Sequence, residues 1–268
     1  MSGCWLNLNE SKDMATNPIR ANGLKLLDIK PTDMGADYGC GKGALLIEAA
    51  KKCEIMIGID HDKENLKFII KRLEKEKIQN CALWIRNLRK KIPLYRTFDF
   101  SIVNGVLEWI PAEKFIEIPF RFKKGKSKKF IRLVNPAIKQ LRFLKMVYEN
   151  LKEGGRLYLA IENRFGWKYF FGKRDEHTGL PFTSILPRKL ANRVCNWWNG
   201  LPYETYTHSY GALKDLLFCA GFASVESFTA SPSYHYPKRL KPLKTLINKI
   251  FALNFIMIAT KNGNKNSN

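Results

Sequence analysis

Long apolar runs, paired cysteines and acidic charge are what this chain is short of. The longest apolar run, Ile250 to Ala259, is interrupted by Asn254. A helix needs about 20 apolar residues to cross a bilayer, so no spanning segment is expected. The opening residues, MSGCWLNLNESKD, lack a basic start followed by an apolar core, so no secretory signal is expected, and the expected location is cytoplasmic. The six cysteines, Cys4, Cys40, Cys53, Cys81, Cys195 and Cys219, show no C-x-x-C spacing. That excludes a disulfide framework or zinc motif and fits free thiols in a reducing compartment; no metal site is expected. Acids number 24 against 46 Lys plus Arg, a formal charge of +22. Such an excess favours anionic partners, whether nucleic acid, a phosphorylated acceptor or an acidic lipid surface touched peripherally.

What is there is enough for one large domain with insertions: 268 residues, 45% of them apolar. The organising stretch is DMGADYGCGKGALLIEAAKKCEIMIGID, Asp33 to Asp60. A short apolar run ends in Asp37, a glycine cluster follows (Gly39-Cys40-Gly41-Lys42-Gly43), then a helical pattern from Ala44 to Lys52. The second strand, Ile55 to Ile59, ends in Asp60. Glycines let a ligand approach the main chain closely, at the amides that open the helix. A carboxylate ending the second strand suits a nucleotide ribose.

This unit resembles the class I S-adenosylmethionine-dependent methyltransferases. The resemblance implies a Rossmann-like, doubly wound α/β/α sheet, mostly parallel with an antiparallel final strand and insertions after the fourth and fifth strands. It implies S-adenosylmethionine as cofactor, held by Asp37, Gly39, Cys40, Gly41, Gly43, Asp60 and His61. Gly39-x-Gly41-x-x-Ala44 also satisfies the dinucleotide fingerprint, so an NAD-dependent oxidoreductase remains an alternative. Asp37 argues against it, since a carboxylate repels a pyrophosphate and welcomes a sulfonium.

Residues 1 to 30 are expected to form a helical segment covering the cleft, broken at Pro18-Ile19-Arg20, with Trp5 packing on the domain; 31–268 form the methyltransferase domain. Asn65 to Ile78 carries the spacing of an amphipathic helix. Cys81 to Arg86 reads as the third strand, and Asn87 after it is a candidate for the adenine. Phe100 to Val103 reads as a buried strand opening into a glycine turn, which places Asn104 at the cofactor and Glu108 at the reacting centre; the family often carries His beside this Glu, where this chain has Trp109. An insertion, 111–135, contains the basic stretch RFKKGKSKK, 121–129, read as a solvated loop or one that grips phosphate or membrane.

Arg156 to Ile161 reads as the next buried strand, after a helix from Ile138 to Leu151. Its end, AIENRFGWKYFFGKRDEHTG, resembles methyltransferases associated with glycan and surface-polysaccharide assembly. Candidate acceptor-binding residues are Glu162, Asn163, Arg164, Asp175 and Tyr206, in a substrate or lid insertion over 163–210. His177 is a candidate general base, having a pKa near neutrality and acids beside it; His208 is read as structural. A helix from Ser209 to Cys219, a strand from Ser224 to Thr229, a basic linker from Lys238 to Lys249 and a final strand from Asn254 to Thr260 complete the chain. The expected activity is methyl transfer to a small or glycan-type acceptor, anionic or lipid-linked, at oxygen. A nucleic-acid methyltransferase is the alternative, although the chain lacks an Asn/Asp-Pro-Pro-Tyr signature and an RNA-binding module; a non-catalytic binding protein is a third.

Overall fold

The computed structural model describes residues 15–112 and 136–263, and between them only the backbone of two strands, Ile116–Arg121 and Lys126–Ile131. Trp5, the first part of the N-terminal segment and residues 122–125 of the basic stretch lie outside the described residues. Arg121 ends one of these strands and Lys126 opens the other, and the two pair antiparallel. Arg121 and Lys126 to Lys129 of the basic stretch therefore lie in paired strands.

The main sheet takes its strands in the order β3-β2-β1-β4-β7-β10-β8-β9. These are β1 (Met34–Tyr38), β2 (Ile55–Asp60), β3 (Cys81–Ile85), β4 (Phe98–Asn104), β7 (Leu151–Glu162), β8 (Ser224–Ser233), β9 (Tyr236–Pro242) and β10 (Asn254–Thr260), with β5 and β6 the separate pair just described. Pairing is parallel from β3 through β7, and β10 inserts antiparallel between β7 and β8. Helices α1 (Ala44–Ala50), α2 (Lys63–Lys75), α3 (Pro136–Asn150) and α6 (Tyr210–Ala220) cover the two faces, while α4 (Trp167–Phe170), α5 (Arg188–Asn199) and α7 (Leu246–Phe251) belong to the connections.

Period-two alternation explains the layering. Along β7, Leu157, Leu159 and Ile161 pack with Phe143, Val147, Leu213 and Leu217 of α3 and α6 on one face. Tyr158 and Ala160 face the other way, toward Leu46 and Ile47 of α1 and Ile69 of α2. A sheet buried on both faces reads as near-continuous apolar runs, which is why its central strands are visible in the sequence.

Two expectations change. Pro18 does not break a helix but opens one: Pro18–Leu27 is a 3-10 helix capped by Asn17, whose side chain accepts from the Ile19 amide at 3.0 Å. Proline lacks only a donor that the first helical turn leaves unused. The basic linker Lys238 to Lys249 is not a plain connection: Lys238 to Pro242 complete strand β9, hairpinned onto β8, and Leu246 to Lys249 open α7. Strand β9 is an edge strand, and edges are commonly protected by lysine and proline.

Candidate active site

The glycine turn is stitched to the end of β2. The Gly39 and Cys40 amides both donate to the Ile59 carbonyl, at 2.7 and 3.2 Å. Asp60, buried, accepts from the Gly41 amide at 2.8 Å and the Asp62 amide at 2.9 Å. Gly39 has φ +77°, and a Cβ there would lie 2.5 Å from Val106 Cγ2. Only glycine therefore lets the turn after β1 pass the turn after β4.

Two cavities flank this turn at the carboxyl ends of β1, β2 and β4. One, of about 240 Å³, is lined by Arg20, Asp37, Gly39, Gly41, Lys42 and Asn104 among others. The second, of about 250 Å³, has Gly39, Asp60, His61, Asn87, Val106 and Trp109 in its wall. Asp37 is buried, and burial together with the Asp60 charge raises its pKa to about 7, against the pull of Arg20. Asn104 Oδ1 is buried without a hydrogen-bond partner among the described residues. All nine residues expected at the cofactor lie on this turn or on the walls of these cavities except Gly43, which sets the turn: at φ +77° it closes the loop onto Ile69. His61 is largely exposed.

Beyond Trp109 stands a second group. Glu108 follows β4 in a 3-10 turn, Glu162 ends β7, and His177 lies in the loop after α4. Glu108 and Glu162 are buried, and one oxygen of each lies with a His177 ring nitrogen inside a 4.8 Å radius of mutual separation. Burial raises both carboxyl pKa values, and Glu108 adds to the rise at Glu162 by like charge. At His177, burial alone would lower the pKa, but Asp175, Glu162 and Glu176 outweigh it and raise it. The imidazole packs edge-on against Trp109, ring centres 5.3 Å apart. Trp109 also lines a cavity of about 150 Å³ with His177, Thr178, Cys195, Tyr203 and Thr205.

Several expected acceptor residues are committed to holding the insertion. The Asn163 amide donates to the Ile250 and Ala252 carbonyls, both at 2.7 Å, and its oxygen accepts from the Phe165 amide at 2.9 Å. Arg164 reaches the Ser184 and Leu186 carbonyls at 3.0 and 2.7 Å. Buried Asp175 accepts from Ser184 Oγ, from Tyr203 OH at 2.7 Å and from the His177 and Thr178 amides at 2.9 Å. Burial would raise its pKa, and these bonds with His177 lower it instead. Asn163, Arg164 and Asp175 are thus used up by their own fold, a use that their polar chemistry alone does not announce. Tyr206 is half-buried, and its main chain bridges the Glu108 carbonyl at 2.9 Å and Gln140 Nε2 at 2.8 Å. His208, buried, pairs with Gln140 Oε1 at 2.7 Å and its pKa falls to about 4 by burial.

Sequence reasoning missed Arg20, Gln140, Tyr234 and His235. Arg20 donates to His235 Nδ1 at 3.2 Å, and Tyr234 OH donates to Glu162 Oε1 at 3.1 Å. Gln140, fully buried on α3, donates to the Leu107 carbonyl at 2.8 Å and so braces the turn carrying Glu108. None of them sits in a motif; the sheet brings them in from distant parts of the chain.

Residues 35–178, just over half of the chain, match the family described as a methyltransferase domain. The chain is 28% identical over 109 residues to the probable cobalt-precorrin-6B C(15)-methyltransferase (decarboxylating) of Methanocaldococcus jannaschii, covering 41% of this chain and 57% of that one. A protein of the same name from Methanococcus vannielii is 28% identical over 78 residues, 29% of this chain and 43% of that one. The chain spans about half the length of the curated relatives it matches. A SAM-dependent methyltransferase from Thermotoga maritima, described as a possible histamine N-methyltransferase, superposes with a TM-score of 0.55 at 16% identity over 95% of both chains. One from Methanosarcina mazei does so at 0.53 and 18%, over 90% of this chain and 97% of that one. At such identities the likeness is one of fold. Family match, strand order and the inserted antiparallel strand agree: the chain belongs to the class I S-adenosylmethionine-dependent methyltransferases, with S-adenosylmethionine as its cofactor.

Proposed function

We propose that this enzyme methylates a hydroxyl oxygen of a small, glycan-type acceptor, and that the donor lies across the glycine turn with its two ends in the two cavities. The donor supplies an electrophilic methyl group on a sulfonium. Asp37 and Arg20 offer opposite charges to the amino-acid end, where Asn104 Oδ1 is a buried acceptor without a donor among the described residues. Asp60 has a second lone pair on each oxygen for ribose hydroxyls, and Asn87 and Val106 border the base. The absence of a Cβ at Gly39 leaves the main chain open to close approach.

The carrying observation is the position of Trp109, whose ring lines both the donor cavity and the cavity at His177. An acceptor entering the cavity beyond Trp109 meets His177 in its wall, with Glu108 and Glu162 buried behind the imidazole, their oxygens within 4.8 Å of its ring nitrogen. Displacement at a methyl group requires mainly alignment, and the residues add a place for the hydroxyl proton to go. The insertion 163–210 forms the acceptor side, and residues 18–27 bring Arg20 to the donor side, which supports the division into a cleft-covering segment and a domain with a substrate insertion. The +22 charge suits an anionic or lipid-linked acceptor.

The archaeal relatives are named for methylation at carbon, a second reading that the partial match favours. A carbon acceptor and an oxygen acceptor separate in one experiment. The protein is incubated with donor labelled at the methyl and with panels of phosphorylated sugars, RNA and tetrapyrrole acids, and the product linkage is read by carbon NMR. A methyl ether on a sugar is expected; labelled RNA or a C-methyl product overturns the oxygen-on-glycan reading. Binding of NAD instead of the donor, read by calorimetry, would overturn the donor placement.

A further inference from the structure

We propose that Glu108, Glu162 and His177 are the ligands of a divalent cation that holds the acceptor's oxygens beside the methyl group. The inference rests on the reading above in placing this cluster on the acceptor side, and it names what the cluster binds.

The three groups converge without satisfying one another. Glu108 Oε2 and Glu162 Oε2 are buried and have no hydrogen-bond partner among the described residues. His177 Nε2 is 3.6 Å from Glu162 Oε2, beyond a hydrogen bond. A shared proton or a tight ion pair would draw such atoms to about 2.5–2.9 Å. Glu162 and His177 stand apart instead, and the three ligand atoms lie within 4.8 Å of one another. A first-row cation bound at about 2.0–2.2 Å would need them to close by under an ångström each. Leaving two buried carboxylate oxygens unpaired is costly, and a dication removes that cost at both together.

The surroundings are those of a ligand imidazole. With Nε2 turned to Glu162, Nδ1 faces Asp175 Oδ1 at 3.7 Å, and Asp175 also accepts from the His177 amide at 2.9 Å. Trp109 fixes the ring plane from the side. At 3.7 Å this is no hydrogen bond as the ring stands, but the carboxylate is on the side from which it would orient the ring once His177 moved onto a cation, as carboxylates do for metal-binding histidines. A neighbouring triplet, Glu162, Glu176 and His235, is grouped as closely, but its members are engaged: Glu176 pairs with Lys168 at 2.6 Å and His235 with Arg20 at 3.2 Å. Two carboxylates and one imidazole without thiolate suit manganese, magnesium or zinc. Three ligands leave positions open for a polyhydroxylated acceptor. Coordination lowers the pKa of the bound hydroxyl; its proton passes to solvent, the oxygen lone pair forms the O–CH3 bond, and the S–CH3 bond breaks with its electrons to sulfur.

The test uses the full chain stripped with chelator. Manganese binding is followed by electron paramagnetic resonance, and S-adenosylhomocysteine binding by calorimetry in parallel. One manganese per chain is expected in the wild type, with affinity at least about tenfold weaker in Glu108→Gln, Glu162→Gln and His177→Ala and changed little in Glu176→Gln. All four variants are expected to bind S-adenosylhomocysteine as the wild type does, which shows them folded. No manganese bound by a wild type that binds S-adenosylhomocysteine overturns the cation site and leaves the donor reading standing. Loss in Glu176→Gln with retention in Glu108→Gln also overturns it. Failure of S-adenosylhomocysteine to bind while manganese does would strike the donor placement instead.

Discussion

Asp37 is the residue whose chemistry is most exposed to measurement. Burial and the Asp60 charge push its folded-state pKa up to about 7, above the 3.8 ordinary for an aspartate, so between those values the folded chain keeps a proton that the unfolded chain has lost. Stability from this group is therefore complete below about pH 4 and is lost as pH rises through 7. A cationic donor favours the ionised carboxylate, so its affinity runs the other way. Calorimetry from about pH 5.5 to 8 should show donor binding weakening by up to about tenfold per unit below 7, with proton release on binding. Asp37→Asn should bind more weakly and with a flat profile; an unchanged slope in that variant would remove Asp37 from the donor's environment. Gly39 is the second test at this scale. Gly39→Ala combines a positive φ with a Cβ 2.5 Å from Val106 Cγ2, a strain of about 1–3 kcal/mol. A lowered melting temperature and lost donor binding are expected together. Asp37 and Gly39 could be read in the sequence because turn and acid are contiguous there. Arg20 could not, since its hydrogen-bond partner, His235, lies 215 residues further along the chain.

Among the elements, the insertion after β7 shows why a polar residue at a strand end is an ambiguous sign. Glu162 and Asn163 are neighbours, yet Glu162 turns toward His177 while Asn163 ties down the end of α7. Asn163→Ala leaves the Ile250 and Ala252 carbonyls without that donor, at a cost of about 2–3 kcal/mol. Thermal denaturation should show the loss, with donor affinity unaltered; a variant as stable as the wild type would refute the structural role. The antiparallel direction of β10 came from the family resemblance, since an apolar run carries no direction. The central strands themselves were legible because each is a buried apolar run. Strand β9 was not. Its sequence YPKRLKP buries little beyond Pro237, and an edge strand carries no apolar alternation for a reader to find. The three acceptor-side ligands were invisible as a set for a related reason: no spacing links a turn after β4, the end of β7 and a loop after α4.

For the molecule as a whole, charge is the property that composition announced without saying where it sits. Among the described residues, one concentration near the site is a groove of about 480 Å³ lined by Arg89, Lys90, Lys91, Lys139, Arg142 and Lys145, with Glu149 also in its wall. Leu88, Arg89 and Ile110 belong to this groove and to the donor cavity alike. Arg89 is bound to the Ile110 and Trp109 carbonyls at 3.1 and 3.3 Å, so it braces the turn, while Lys91 and Arg142 stand exposed. An anionic acceptor passing over this face would release counterions, and the logarithm of its affinity should then fall linearly with that of salt. In Lys91→Glu with Arg142→Glu, the slope for a single-stranded oligonucleotide probe should shrink by about one to two, and donor affinity should stay as in the wild type. A phosphorylated sugar small enough to enter only the His177 cavity should show no such change. If the oligonucleotide slope is also unmoved, the groove is not where polyanions dock, and the +22 charge acts on the molecule as a diffuse field that governs encounter and solubility but selects no acceptor.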